Sequence, residues 1–247
     1  MATVILLRHG RTAANAAGVL AGRTPGVPLD DVGRAQAERA AERLAAVPLR
    51  AVVSSPLERC QETAAAVLRR QAESSLTGAE IDEALSECDY GDWTNRPLKE
   101  LATETLWKIV QSQPSAVVFP GGESMSGMQS RAVAAIRSRD ALIEAEHGPG
   151  AVWLAVSHGD VIKSILADAL GLHLDLFQRI AVGPASLSII RYGAERPEVI
   201  ASNTEAGDLA WLHGAEAPAG TSTHVADSTL GGGAGHAEPD PTPAERT

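Results

Sequence analysis

The chain has 247 residues, room for one large domain or two small ones, and a hydrophobic fraction of 44% that can fill a core. With 31 acidic against 21 basic side chains, its net charge of −10 argues against a nucleic-acid-binding or polybasic membrane protein, although a local positive pocket stays allowed. Cys60 and Cys88 form no CxxC pair, which excludes a disulfide scaffold or zinc module.

No apolar run approaches the roughly 20 residues that span a bilayer. The opening MATVILLRHG lacks the basic n-region of a signal peptide. A soluble, cytoplasmic, reduced protein is the expectation. Aromatics are only 3%, so the core must rest on Leu, Val, Ile and Ala.

In chain order, residues 3–7 read as a buried strand. Asp30 or Asp31 caps a helix whose apolar face holds Ala37, Ala40, Ala41 and Leu44. Residues 51–54 form a second strand. Ser55 then reads as an N-cap, with Pro56 at the first helical position and Glu58 completing a capping box, for a helix running to about Gln71. A weaker strand covers 79–81. Residues 84–122 are irregular, with helical pieces near 98–101 and 104–111. Ser124 caps a long helix with a buried stripe of Met125, Met128, Ala132, Ala135, Ile136, Leu142 and Ile143. A strand over 151–156 is followed by a helix whose face holds Val161, Ile162, Ile165, Leu166, Ala169 and Leu170, closed by Gly171. Residues 185–192 and 198–202 make a final pair of strands. Such alternation predicts an α/β fold, a three-layer α/β/α sandwich around a mostly parallel sheet. Residues 215–247 hold five glycines, four prolines, five acids and only Val225 and Leu230 as large aliphatics. They read as a disordered acidic tail beside a 1–214 domain.

Two strands end in one pattern: Arg8-His9-Gly10 and Ser157-His158-Gly159. In open α/β sheets, ligands bind beyond the carboxyl ends of strands. If residues 51–54 run parallel, Arg59 arrives at the same edge in the first turn of the next helix. Two His and two Arg converging in an acidic protein point to an anion, and guanidinium forks match phosphate oxygens.

The stretch RHGRTAAN at 8–15 resembles the signature of the histidine phosphatase superfamily, in its branch similar to cofactor-dependent phosphoglycerate mutase. Other family-like stretches follow in order: Pro28-Leu29 with Gly33 and Gln36-Ala37, Ser54-Ser55-Pro56-Leu57-Glu58-Arg59 with Thr63-Ala64, and Leu85-Ser86-Glu87 with Tyr90-Gly91-Asp92-Trp93. Gly121-Gly122-Glu123-Ser124 with Arg131, and Ser157-His158-Gly159, complete the set. The resemblance covers residues 3–203. It implies a phosphoglycerate mutase-like fold with His9 as phosphoryl acceptor. Arg8, Arg59 and His158 would hold phosphate and its transition state, Asn15 would bond phosphoryl oxygens, and Glu87 would act as acid, then base. Thr12 and Gly159 are placed at phosphate or substrate. The family often has Glu where this chain has Arg11, which reads either as a second anion-binding group or as a solvated loop residue.

The nucleophilic imidazole needs its other nitrogen held, and a backbone carbonyl near Gly10 is expected to do so. Neither metal nor cofactor is expected. The partner is a small phosphorylated substrate, with no nucleic acid and no membrane. Dimers are common in such families, which leaves a homodimer open. Glu87 to His158 spans only 71 positions, with no Arg-Arg pair between them, which favours a phosphatase over a mutase. A non-catalytic binding protein of the same fold is the remaining alternative. Trp93, Arg96, Trp107 and Phe119 are expected over the pocket.

Overall fold

A computed structural model describes residues 2–71, 76–207 and 230–235. Its sheet consists of β1 (Thr3–Arg8), β2 (Leu49–Ser54), β3 (Glu80–Ile81), β4 (Val152–Ser157), β5 (Leu187–Tyr192) and β6 (Pro197–Thr204). The spatial order is β3-β2-β4-β1-β5-β6. β3, β2, β4 and β1 pair in parallel, and β5 is antiparallel to both of its neighbours, β1 and β6. β1 and β4 lie in the buried middle, so they read as continuous apolar runs rather than alternating ones.

Helices α2 (Asp31–Leu44) and α3 (Glu58–Arg70) cover one face, where Leu7, Ala37, Ala41, Val67 and Val156 share a core. Helices α6 (Met125–His147) and α7 (Gly159–Ala169) cover the other, where Leu6, Met128, Ala155, Ile162 and Ile165 share a second core. Short helices α1 (Ala13–Ala16), α4 (Leu98–Leu101) and α5 (Thr105–Ser112) sit in the connections. The result is the expected three-layer α/β/α arrangement. Among the described residues, no helix is long and apolar enough to cross a membrane.

Asp30 caps α2, its carboxylate accepting from the Gly33 N–H, and Ser124 caps α6 through the Gly127 N–H. Leu142 departs from the expected stripe and is 64% exposed. Asp140 is buried in that helix instead, because its carboxylate accepts a 2.8 Å bond from the buried Trp153 indole N–H. Simple hydrophobic periodicity misses a polar residue satisfied by an aromatic partner.

The expected cap of α3 also differs. Leu57 is the N-cap and makes no side-chain cap bond, while the Ser55 hydroxyl is committed elsewhere. Within the 215–247 segment the structure describes only one stretch. Residues 230–235 pack against the domain, and Leu230 is fully buried. The rest of that tail lies outside the described residues.

Candidate active site

The parallel register delivers three chain segments to one sheet edge. Arg8 pairs with Ser157 in register, and Ser54 with Val156. Ladder bonds continue one residue past each strand: His9 N–H donates to Ser157 O, and Ser55 N–H donates to Val156 O. Since β4 lies between β1 and β2, the turn carrying His158 stands between those carrying His9 and Ser55.

The turn after β1 rests on the start of α2. A Cβ on Gly10 would lie 2.3 Å from Gly33 O, and one on Gly33 would lie 1.9 Å from Arg11 O, so both positions require the missing side chain. Arg11 N–H donates to Gln36 Oε1, and Gly10 N–H donates to Thr63 Oγ1. These contacts explain why the stretches around Gly33, Gln36 and Thr63 accompany the histidine turn.

His9 is buried, and its Nδ1 lies 2.7 Å from Gly10 O. A carbonyl only accepts, so Nδ1 carries the proton. Arg59 Nε lies 3.3 Å from His9 Nε2 and only donates, so Nε2 offers its lone pair. Burial first, then the charges of Arg59 and Arg8, hold His9 well below the usual imidazole range, which keeps the ring neutral.

Arg59 Nη2 donates to Gly22 O at 2.8 Å, while its buried Nη1 has no hydrogen-bond partner among the described residues. Arg59 thus pairs with neither Glu58 nor Glu62. Arg8 is buried, donating from Nη1 to Val182 O at 2.8 Å.

His158 is fully buried, its ring 5.2 Å from that of His9 and nearly edge-on to it. Its Nε2 shares a 2.8 Å hydrogen bond with Ser55 Oγ, and its Nδ1 lies 4.0 Å from Glu87 Oε2. Burial and the nearby Arg59 push its pKa well down. Glu87 is also buried, accepting from the Cys88 N–H at 2.9 Å. Burial, followed by the charge of Asp160, pushes the Glu87 carboxyl up to about 7. Such a carboxyl can both give and take a proton near neutrality. Glu83 is exposed and outside the pocket.

Asn15 and Thr12 line the pocket, joined in a capping box at the start of α1, and Gly159 opens α7. Arg11 is not brought in. Its Nε pairs with Asp30 at 2.9 Å, so a second anion-reading role is not supported by its position.

A model of the histidine phosphatase superfamily (branch 1) matches residues 4–205. This chain belongs to the histidine phosphatase superfamily. The Mycobacterium tuberculosis "Bifunctional protein Rv2228c" is 33% identical over 205 residues, covering 78% of this chain and 50% of that protein. The chain thus spans half the length of that relative. "Probable phosphoglycerate mutase GpmB" of Proteus mirabilis is 31% identical over 195 residues, covering 78% of this chain and 86% of the relative. Among solved structures, the mycobacterial glucosyl-3-phosphoglycerate phosphatase Rv2419c complexed with VO3 superposes with a TM-score of 0.72 at 25% identity. It covers 82% of this chain and 99% of its own. YhfR of Bacillus stearothermophilus gives 0.71 at 29%, covering 85% and 98%.

Several residues of this superfamily member escaped sequence reasoning. Ser55 bonds His158 rather than capping α3. Arg131 donates to Ala84 O and Glu87 O while pairing with Glu123, and Arg23 donates to Glu87 O at 2.7 Å, so this network holds the backbone that carries Glu87. The presence of Glu123 and Arg131 in the family-like stretch was the available signal.

The aromatic residues expected over the pocket are elsewhere. Trp93 and Phe119 are buried in edge contact, Trp107 stacks on Trp93, and Arg96 pairs with Glu104. Large rings gain more by burying against one another than by standing over a polar mouth. The pocket wall comes instead from residues 18–22, Leu98 and residues 230–233. Cys60 is buried with Sγ 3.5 Å from His158 Nε2, and burial pushes its thiol up to about 12, so it stays protonated.

Proposed function

We propose that this chain hydrolyses a small phosphomonoester without a metal, through a phosphohistidine formed on His9. The observation that carries the reading is the orientation of His9. Its Nδ1 proton is bound to Gly10 O, which leaves Nε2 of this pocket-lining residue unprotonated, 3.3 Å from Arg59 Nε and beside an Arg59 Nη1 that lacks a hydrogen-bond partner among the described residues.

In the first step, His9 Nε2 attacks phosphorus in line with the ester oxygen. The N–P bond forms, the P–O ester bond breaks, and the leaving oxygen takes the Glu87 proton. In the second step a water attacks phosphorus and gives its proton to Glu87. The N–P bond breaks, and its electron pair returns to Nε2. Arg59 and Asn15, which line the pocket, would bond the equatorial oxygens, where charge must be neutralised, and Arg8 and His158, buried beside them but outside that lining, would join them once substrate enters. The neutral state of His9 and the raised pKa of Glu87 suit those two roles.

Arg59 is the only cationic side chain lining the mouth among the described residues, and Val19, Leu20, Ala21 and Leu98 form its walls. That lining favours one phosphoryl group on a small, otherwise uncharged alcohol. It disfavours the carboxylate-bearing substrate of a mutase, for which a second cation would be needed. The mutase named among the relatives keeps that activity as the rival reading.

The test is phosphate release from a panel of phosphomonoesters in EDTA by wild type and His9→Ala, with acid-labile phosphate on the protein measured after rapid quenching. Release and labelling by wild type alone are expected. Release that survives His9→Ala refutes the nucleophile, and phosphoryl return to an acceptor alcohol without release would mean a mutase.

A further inference from the structure

The pocket that should receive a phosphoryl group already holds part of this chain. Leu230 is fully buried and belongs to the same core cluster as Leu20 and Tyr90. Gly231 N–H donates at 2.9 Å to Asp160 Oδ2, the oxygen that also accepts from Tyr90 Oη at 2.7 Å. Gly232 O accepts from Asn15 Nδ2 at 3.4 Å, and Gly233 O accepts from Arg8 Nη2 at 2.9 Å. Two backbone oxygens therefore stand on donors that the mechanism assigns to the phosphoryl group.

We propose that residues 230–233 are a tethered competitor for the phosphate pocket, anchored by Leu230 and by Asp160, which substrate or inorganic phosphate must displace. The proposal rests on the phosphatase reading of that pocket.

The composition of the segment fits the task. Gly232 has φ +70, and a Cβ there would lie 2.6 Å from Arg8 Cζ. Gly231 has φ +74, and its Cβ would lie 2.6 Å from Leu20 Cδ1. Any other residue at these positions is strained and collides, so the run of glycines lets a bare backbone reach the guanidinium.

The occupancy is incomplete, which leaves room for a better ligand to win. The segment presents neutral carbonyls to Arg8 and Asn15 and leaves Arg59 Nη1 without a hydrogen bond among the described residues. A phosphate offers charged oxygens to all three, so the Asn15 bond becomes charge-assisted and the Arg8 and Arg59 contacts become ion pairs between two charged groups. An apparent affinity falls by the fraction of molecules competent to bind, so a segment docked about 90–99% of the time weakens phosphate binding about 10- to 100-fold.

The test uses the full chain as wild type, Leu230→Asp and Gly232→Val, with inorganic phosphate as probe and calorimetry as readout. Hydrogen exchange of the Gly231 amide reports docking independently of any ligand. Expected are a slow Gly231 amide in anion-free wild type, fast exchange in saturating phosphate, and phosphate binding at least about tenfold tighter in both variants. A Gly231 amide exchanging at the unprotected rate in wild type overturns the proposal, and so does equal phosphate affinity in all three proteins. Absence of phosphate binding in all three, with Gly231 still protected, would instead remove the phosphatase reading and the competition claim with it.

Discussion

Ser55→Ala separates two roles for one hydroxyl. Sequence logic makes Ser55 the cap of α3, whereas in the structure its Oγ shares a 2.8 Å bond with His158 Nε2, and both residues are fully buried. The contact expected of a cap, from Leu57 N–H to Ser55 Oγ, is long at 3.4 Å. Removing the hydroxyl leaves Nε2 with only the Cys60 sulfur, 3.5 Å away and a poor partner. An unsatisfied buried polar group costs about 1–3 kcal/mol. If the substitution leaves His158 free to rotate away from the phosphoryl group, that cost appears in the transition state. At about 1.4 kcal/mol per tenfold in rate, kcat should fall roughly 5- to 150-fold. KM should change little, because His158 is assigned to charge that develops during transfer. The assay is steady-state hydrolysis of the best phosphomonoester, paired with thermal unfolding. A pure cap would give the opposite pattern, a loss of about 1 kcal/mol in stability with kcat intact. Unchanged kcat with a lowered unfolding midpoint would refute the positioning argument.

Three further outcomes follow from the same geometry. Because Glu87 must be protonated to serve the leaving oxygen and its carboxyl is pushed up to about 7, kcat/KM should fall about tenfold per pH unit above that value. The acid limb should lie well below pH 6.5, where neutral His9 gains a proton, and an alkaline limb that persists in Glu87→Gln would assign it to another group. Arg11→Ala should leave kcat/KM within about twofold, because its Nε is held by Asp30 outside the pocket in a partly exposed pair of small worth; a large rise in KM would restore it as an anion reader. Gly33→Ala should lower stability by about 2–4 kcal/mol or more, read in urea unfolding, since the new methyl would lie 1.9 Å from the Arg11 carbonyl oxygen. An unchanged unfolding midpoint would mean that the turn carrying His9 yields easily.

Much of the architecture was legible locally. Buried strands such as Thr3–Arg8 and Val152–Ser157 announce themselves as apolar runs, and caps at Asp30 and Ser124 lie within three residues of the amides they serve. Arg8, His9, Arg59, Glu87 and His158 could be named because each sits at a strand end or in a family-like stretch, and the parallel register brings them to one edge. Arg11 was left between an anion-binding and a loop reading because adjacency in sequence says nothing of which way a loop side chain turns, and in the structure it turns to Asp30. Leu142 failed because a periodic stripe cannot anticipate that Trp153 will satisfy a buried Asp140.

The sequence by itself determined the alternation of strands and helices, the family, and the residue types at the site, because those depend on hydrophobic period, capping chemistry and short spacing. Tertiary structure alone decided that Ser55 serves His158, that Arg23 and Arg131 hold the Glu87 backbone, and that residues 230–233 line the pocket. Each of those is a contact between groups tens to hundreds of residues apart. A buried guanidinium needs oxygens to accept from it, and only the folded chain brings the carbonyls of Val182 and Gly233 to Arg8.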